Sequence, residues 1–208
     1  MTVITSRAGQ NAGRLVSLSD ITDRRLFQEK LKTLATRDGL TGLNNRTHFM
    51  ELAELAREQT TGNRQPATLF MFDIDHFKDV NDTYGHAAGD IVLKTLGEKM
   101  RSFFRMSDIL GRIGGEEFAV FLQGASLTHA ESIIERFREE IARTPIIFED
   151  HEIKVTLSLG ATEMGPETKD LDELLLRADQ AMYDAKRGGR NCLRMHTRTL
   201  PNEVPSRG

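Results

Sequence analysis

Two apolar segments, Ile109-Leu-Gly-Arg-Ile113 and Phe118-Ala-Val-Phe-Leu122, are separated only by Gly114-Gly115-Glu116-Glu117. So short a connection between strand-like runs predicts a β-hairpin, and with it an antiparallel sheet. The second run is almost wholly apolar, as expected for a strand in a covered sheet. Gly-Gly supplies the positive φ that tight hairpin turns use. The turn leaves Glu116 and Glu117 close together, where they can hold a divalent cation. Alone, such a turn is more often an ordinary solvated one, so a functional reading needs a second source of carboxylates.

That source lies upstream, in Leu69-Phe-Met-Phe-Asp73-Ile-Asp75-His-Phe-Lys78-Asp-Val-Asn81. Four apolar residues before Asp73 predict a strand buried on both faces. Asp73 and Asp75 share a face if the strand continues through them. A buried carboxylate without a partner is costly or becomes protonated. A hard cation such as Mg²⁺, which takes oxygen ligands, is one solution; loop amides at a strand end are the other.

The order of periodicities constrains the fold further. A strand at 68–74 precedes a helix near 87–104, where Val92, Leu96, Met100 and Phe103 recur at helical spacing. After the hairpin, a second helix opens with the capping box Thr128-His-Ala-Glu131 and turns Ile133, Ile134, Phe137 and Ile141 to one side. Ile153, Val155, Leu157 and Leu159 then alternate as a strand, and a last helix from about 171 carries Leu174, Leu175, Ala178, Met182 and Ala185. The sum is β-α-β-β-α-β, an α+β class chain with the split-βαβ, ferredoxin-like arrangement: a central antiparallel sheet flanked by helices. An extra hairpin is expected from Ile146–Phe148 with a turn at Glu149–Glu152. An early helix at about 45–59 presents Phe49, Leu52 and Leu55 or Ala56.

Composition excludes some function classes. The chain has 208 residues, of which 38% are hydrophobic, enough for one domain with flanking elements. A net charge of −3 gives no reason to invoke nucleic acid or a charged membrane surface. No apolar run approaches the ~18 residues of a spanning helix, and no signal-peptide pattern opens the chain. Cys192 is the single cysteine and reads as a packing residue in a reducing, cytoplasmic setting. The six histidines are scattered, which argues against zinc.

Five motifs together resemble the GGDEF family of diguanylate cyclases. Gly114-Gly-Glu-Glu-Phe118 is similar to its signature in the Glu-for-Asp form, and Asp38-Gly-Leu-Thr-Gly-Leu-Asn-Asn-Arg46 to its opening. The acidic strand is a third, Asn81-Asp-Thr-Tyr-Gly-His-Ala-Ala-Gly-Asp90 resembles its nucleotide-binding segment, and Ala178-Asp-Gln-Ala-Met-Tyr-Asp-Ala-Lys186-Arg-Gly-Gly-Arg190-Asn191 its closing helix. The resemblance covers roughly residues 36–195. It implies the same palm-like fold as nucleotidyl cyclases and polymerases, and condensation of two GTP into cyclic di-GMP and two pyrophosphates. It also implies Mg²⁺ or Mn²⁺ held by Asp73, the Ile74 carbonyl, Glu117 and Glu116, the last acting as ligand or general base. Lys78, Lys186 and Arg190 would hold phosphates, as would a backbone amide at Phe77, while Asn81 and Asp90 would read guanine. Asp75, His76 and His86 are read as structural.

Arg105-Met-Ser-Asp108 resembles the family's RxxD product-inhibition site, with Arg136 matching its supporting arginine. The segment Gly13–Asp23 is similar to the end of a PAS sensor, and Thr22–Leu34 presents Phe27, Leu31 and Leu34 at near-heptad spacing, compatible with a coiled coil. The expected organisation is a sensor remnant at 1–21, a linker helix at 22–36, the catalytic domain at 37–195 and a flexible tail at 196–208. The symmetric product implies a homodimer, and the PAS-like segment implies an upstream sensor. The competing expectations are a GTP- or cyclic di-GMP-binding module that has lost turnover, and a nucleotidyl transferase with another substrate.

Overall fold

The structure, a computed structural model, describes residues 3–4, 15–16, 22–165 and 168–196. The sensor-remnant reading falls largely outside the described residues, and the tail from 197 onward entirely so. The chain divides into a unit ending at Ala35 and a second beginning at Thr36. In the first, β1 (Val3–Ile4) pairs antiparallel with β2 (Leu15–Val16), and α1 (Thr22–Thr36) follows. α1 leaves Leu26, Phe27, Leu31 and Leu34 exposed.

The second unit is built on β3 (Ala67–Ile74), which is buried at every position. Its neighbours are β5 (Glu117–Gln123) and β8 (Leu157–Glu163), both antiparallel to it; β4 (Ile109–Arg112) and β9 (Leu193–His196) form the edges. The order β4-β5-β3-β8 is the expected ferredoxin-like sheet, and β9 adds a fifth strand parallel to β8. β9 is absent from the sequence reading because its four residues, just past the helix-closing motif, are too few for alternation to register.

Helices cover both faces. Phe70, Phe72 and Ile74 point to a core shared with α4 (His86–Phe103) and α5 (Leu127–Arg143), where Phe72 stacks on Phe118 at 5.2 Å and touches Phe137 at 5.7 Å. Leu69 and Met71 point the other way, onto Phe49, Ala53 and Ala56 of α2 (Arg46–Asn63) and Leu174, Ala178 and Met182 of α6 (Leu171–Arg187). Strand alternation therefore assigns Asp73 to the α2/α6 side. The separate hairpin of β6 (Ile146–Phe148) and β7 (His151–Ile153) is as expected.

Several local expectations are corrected. A short helix, α3 (Phe77–Tyr84), precedes α4; eight residues with only Phe77 and Val80 buried leave too little periodicity to read. α5 is capped by Ser126, whose hydroxyl accepts from the His129 amide, two residues before the Thr128 box. On α2 the buried stripe is Phe49, Ala53 and Ala56, and Leu55 is exposed. The last main strand starts at Leu157, since 154–156 lie between β7 and β8. Neither Gly114 nor Gly115 has a positive φ. A Cβ at Gly114 would stand 2.6 Å from Glu117 Oε2, so a larger residue there would displace the Glu117 carboxylate. Among the described residues no helix is long and apolar enough to cross a membrane.

Candidate functional site

Asp73 and Glu117 are direct partners in the β3–β5 register, and Ser158 lies opposite Asp73 on β8. Directly opposed residues share a face and stand a few ångströms apart, so two acids distant in sequence meet at one end of the sheet. α6, packed across that face, delivers Lys186, whose Nζ is 2.8 Å from Asp73 Oδ2. Burial pushes the Asp73 carboxyl above its ordinary value; Lys186 and Arg190 pull it down, and the charge of Asp75 adds to the rise. Glu116 is also raised, by burial and then by the charge of Asp73, with Glu117 adding to it and Lys186 opposing it. Both shifts are set first by burial, with neighbouring carboxylates adding to them and Lys186 opposing them.

The hairpin tip is held from behind. The Ile113 and Gly114 amides donate to the Glu117 carbonyl at 2.8 and 3.2 Å. Arg112 donates to the Gly115 carbonyl through Nη2 at 2.6 Å and Nε at 3.1 Å, and its Nη1 reaches Asp38 Oδ1 and Oδ2 at 3.1 and 3.2 Å. Asp38 in turn accepts from the Thr41 amide and hydroxyl. Burial opposes ionisation of Asp38, but the bonds from Thr41 and Arg112 outweigh it and hold the carboxyl below its usual range. Sequence reasoning gave this pair no role; the Asp-x-x-Thr turn signal was legible, its partner 74 residues on was not.

Phe77 and Lys78 open α3, whose first-turn amides lack intrahelical acceptors. The Phe77 side chain is buried in the core, which leaves its backbone as the only group free to meet a ligand. Lys78 is exposed. Asn81, near the end of α3, packs against α4 at Gly89, where a Cβ would fall 2.0 Å from Asn81 Oδ1; Asp90 is the next residue. Gly89 therefore places Asn81 beside Asp90, a positioning role the sequence reading missed.

The second predicted site is elsewhere. Asp108 Oδ2 accepts the Arg105 amide at 3.0 Å in the turn after α4, and burial raises the Asp108 carboxyl against the pull of that bond and of the Arg105 charge. Both residues line a cavity of about 660 Å³ that also meets Arg101, Met106 and His48. Arg136 does not line it; its guanidinium lies 5.6 Å over the Phe103 ring.

Among the described residues no three acid, imidazole or thiol side chains are disposed to hold a metal ion as they stand, and Asp73 pairs with Lys186. The donor chemistry nevertheless suits a hard cation. Asp73, Glu116 and Glu117 are oxygen donors whose mutual repulsion a divalent ion relieves, and the Ile74 carbonyl sits at the same strand end.

Residues 35–192 match the family profile described as diguanylate cyclase, GGDEF domain. Diguanylate cyclase A of Treponema denticola is 35% identical over 175 residues, which are 83% of this chain and 47% of that protein. The chain thus spans about half the length of the curated relatives it matches. The coiled coil and GGDEF domain of DgcB from Caulobacter crescentus, solved in complex with c-di-GMP, aligns with a TM-score of 0.78 and 29% identity over 85% of this chain and 93% of that one. The active GGEEF domain of a diguanylate cyclase from Vibrio cholerae aligns at TM-score 0.69 and 31% identity, over 74% and 98%.

Proposed function

The chain belongs to the GGDEF family of diguanylate cyclases, and we propose that it condenses two GTP molecules into cyclic di-GMP with release of two pyrophosphates. The observation that carries this reading is the Asp73–Glu117 register pair, with Glu116 beside it and Lys186 against it. The reaction needs a 3′-hydroxyl to attack an α-phosphate with pyrophosphate leaving in line. Asp73, the Ile74 carbonyl, Glu117 and Glu116 would hold Mg²⁺, and the ion would supply Lewis acidity that makes the 3′-hydroxyl easier to deprotonate and offsets charge on the phosphate oxygens. Lys186 and Arg190 bind the triphosphate, joined by Lys78 and the Phe77 amide at the start of α3. Asp90 accepts from guanine N1 and the exocyclic amine, with Asn81 beside it; an adenine would leave that carboxylate unpaired.

One site faces one α-phosphate, so a symmetric product needs two chains facing each other. The exposed Leu26, Phe27, Leu31 and Leu34 of α1 supply an apolar stripe for pairing two copies, below an upstream PAS sensor. Cyclic di-GMP binds in turn at Arg105 and Asp108, against the large cavity, and inhibits; the 5.6 Å stacking of Arg136 on Phe103 favours a role for that arginine only if it swings out. The lone cysteine and the nucleotide substrate support a cytoplasmic setting. The test is incubation of purified protein with GTP and Mg²⁺ over a range of protein concentrations. Cyclic di-GMP on chromatography is the expected result. Its absence, even from a fusion that forces dimerisation, overturns the cyclase reading in favour of a nucleotide-binding module.

A further inference from the structure

Asp75 is 5% exposed, and among the described residues no cation pairs with it. Its carboxylate is instead satisfied by neutral donors. The Ser158 hydroxyl donates to Oδ1 at 2.6 Å, the Thr156 hydroxyl to Oδ2 at 2.7 Å, and the Asn191 backbone amide to Oδ2 at 3.0 Å. A buried carboxylate costs far more than a hydroxyl or an amide group, so its presence at a buried position asks for a reason.

The reason lies in what it holds. Asn191 and Arg190 both adopt left-handed backbone angles, with φ of 44° and 62°, in the turn that leaves α6. Consecutive non-glycine residues persist there only where the surroundings fix them. The Arg190 amide is tied back to the Ala185 carbonyl at 3.1 Å, Arg138 Nη1 donates to Asn191 Oδ1 at 2.8 Å, and Leu159 donates to the Cys192 carbonyl at 3.0 Å. Among the described residues, Asp75 joins this turn to the end of the acidic strand by a hydrogen bond, and the charge of Arg190 is felt at Asp73.

We propose that Asp75 is a positioning residue: by accepting the Asn191 amide it fixes the Gly188–Asn191 turn so that Arg190 is aimed at the triphosphate bound beside Asp73. This rests on the phosphate-binding reading given above. The acceptor geometry of Oδ2 does the positioning, and the negative charge does not. An asparagine can keep it, with its Oδ1 toward Asn191 and Thr156 and its Nδ2 donating to a rotated Ser158 hydroxyl.

The test measures binding of 3′-deoxy-GTP, which cannot condense, with Mg²⁺ present, alongside hydrogen exchange at the Asn191 amide. Arg190→Ala is expected to weaken binding roughly tenfold, the loss of one charge-assisted contact. Asp75→Ala should weaken it by a similar factor and speed exchange at Asn191, whereas Asp75→Asn should stay within about twofold of the parent on both. In the Arg190→Ala background, Asp75→Ala should add less than about twofold, because both act through one group. If Asp75→Ala does not fold, Thr156→Val, which removes the other donor at Oδ2, should speed Asn191 exchange and weaken binding only while Arg190 is present. No effect of Arg190→Ala overturns the phosphate reading and the proposal with it. Additive losses, or an Asp75→Asn as weak as Asp75→Ala, leave that reading standing and overturn the positioning role.

Discussion

Gly160 lies on β8 where α6 crosses the sheet. A methyl group there would stand 2.1 Å from both the Ala178 carbonyl oxygen and the Met182 amide nitrogen, and 2.8 Å from the Ala181 carbonyl carbon. These are backbone atoms of a helix, so no rotamer change relieves the clash. Restoring an ordinary contact of 3.4 Å needs α6 to move 3.4 − 2.1 = 1.3 Å along that line. Overpacking of this kind costs about 3 kcal/mol. In a domain of this size each kcal/mol is worth a few degrees, so Gly160→Ala is expected to melt about 6–12 °C below the parent. The same displacement draws Lys186 away from Asp73, now 2.8 Å apart, so affinity for 3′-deoxy-GTP should fall in the fraction that folds. Thermal unfolding by circular dichroism at fixed protein concentration reads the first effect. Gly115→Ala is the control: a Cβ there meets nothing within 4 Å, and its cost should stay within about 0.5 kcal/mol. A Gly160→Ala protein melting within about 2 °C of the parent would refute the claim that α6 is held on the sheet by this close approach.

Gly89→Ala should drive the Asn81 side chain away, because its Cβ would fall 2.0 Å from Oδ1; the expected readout is a roughly tenfold higher KM for GTP, with little change for a substrate lacking the guanine amine. The Asp38 carboxyl is held below its ordinary value, so its contribution to stability is present above the unfolded pKa and is lost as pH falls through the folded one. Arg112→Ala should therefore flatten the acid limb of a stability–pH curve below about pH 4, and slow turnover by loosening the hairpin tip. Glu116 is raised, so its ionisation opposes folding as pH rises from the ordinary to the raised pKa; Glu116→Gln should be as stable as the parent or more so at neutral pH while losing turnover. Arg105→Ala should require at least about tenfold more cyclic di-GMP for half inhibition, measured by pyrophosphate release.

The sequence carried the elements whose burial is periodic or complete: β3, the helices α4, α5 and α6, and the hairpin strands. It did not carry α3 or β9, which are too short for periodicity to register, and it assigned the Gly-Gly pair a backbone conformation that the hairpin does not use. At the site, residue type and order were enough to bring Asp73, Glu116 and Glu117 into one hypothesis. Their local partners were not legible, because each is a tertiary contact with no local signature: Lys186 on Asp73, Arg112 on Asp38, and Asn191 on Asp75, the last across 116 residues. Asp75 reads as structural because the family resemblance gives it no catalytic role; only the donors around it show which part of the structure it holds.

The central claim is that the carboxylates brought together by the β3–β5 register condense two GTP molecules. The direct measurement follows pyrophosphate and cyclic di-GMP together, from GTP and Mg²⁺, at increasing concentrations of the parent and of Glu117→Ala. The account predicts two pyrophosphates per cyclic di-GMP, a rate that rises more than linearly with protein, and neither product from Glu117→Ala. Pyrophosphate without the cyclic dinucleotide, or undiminished product from Glu117→Ala, would contradict it.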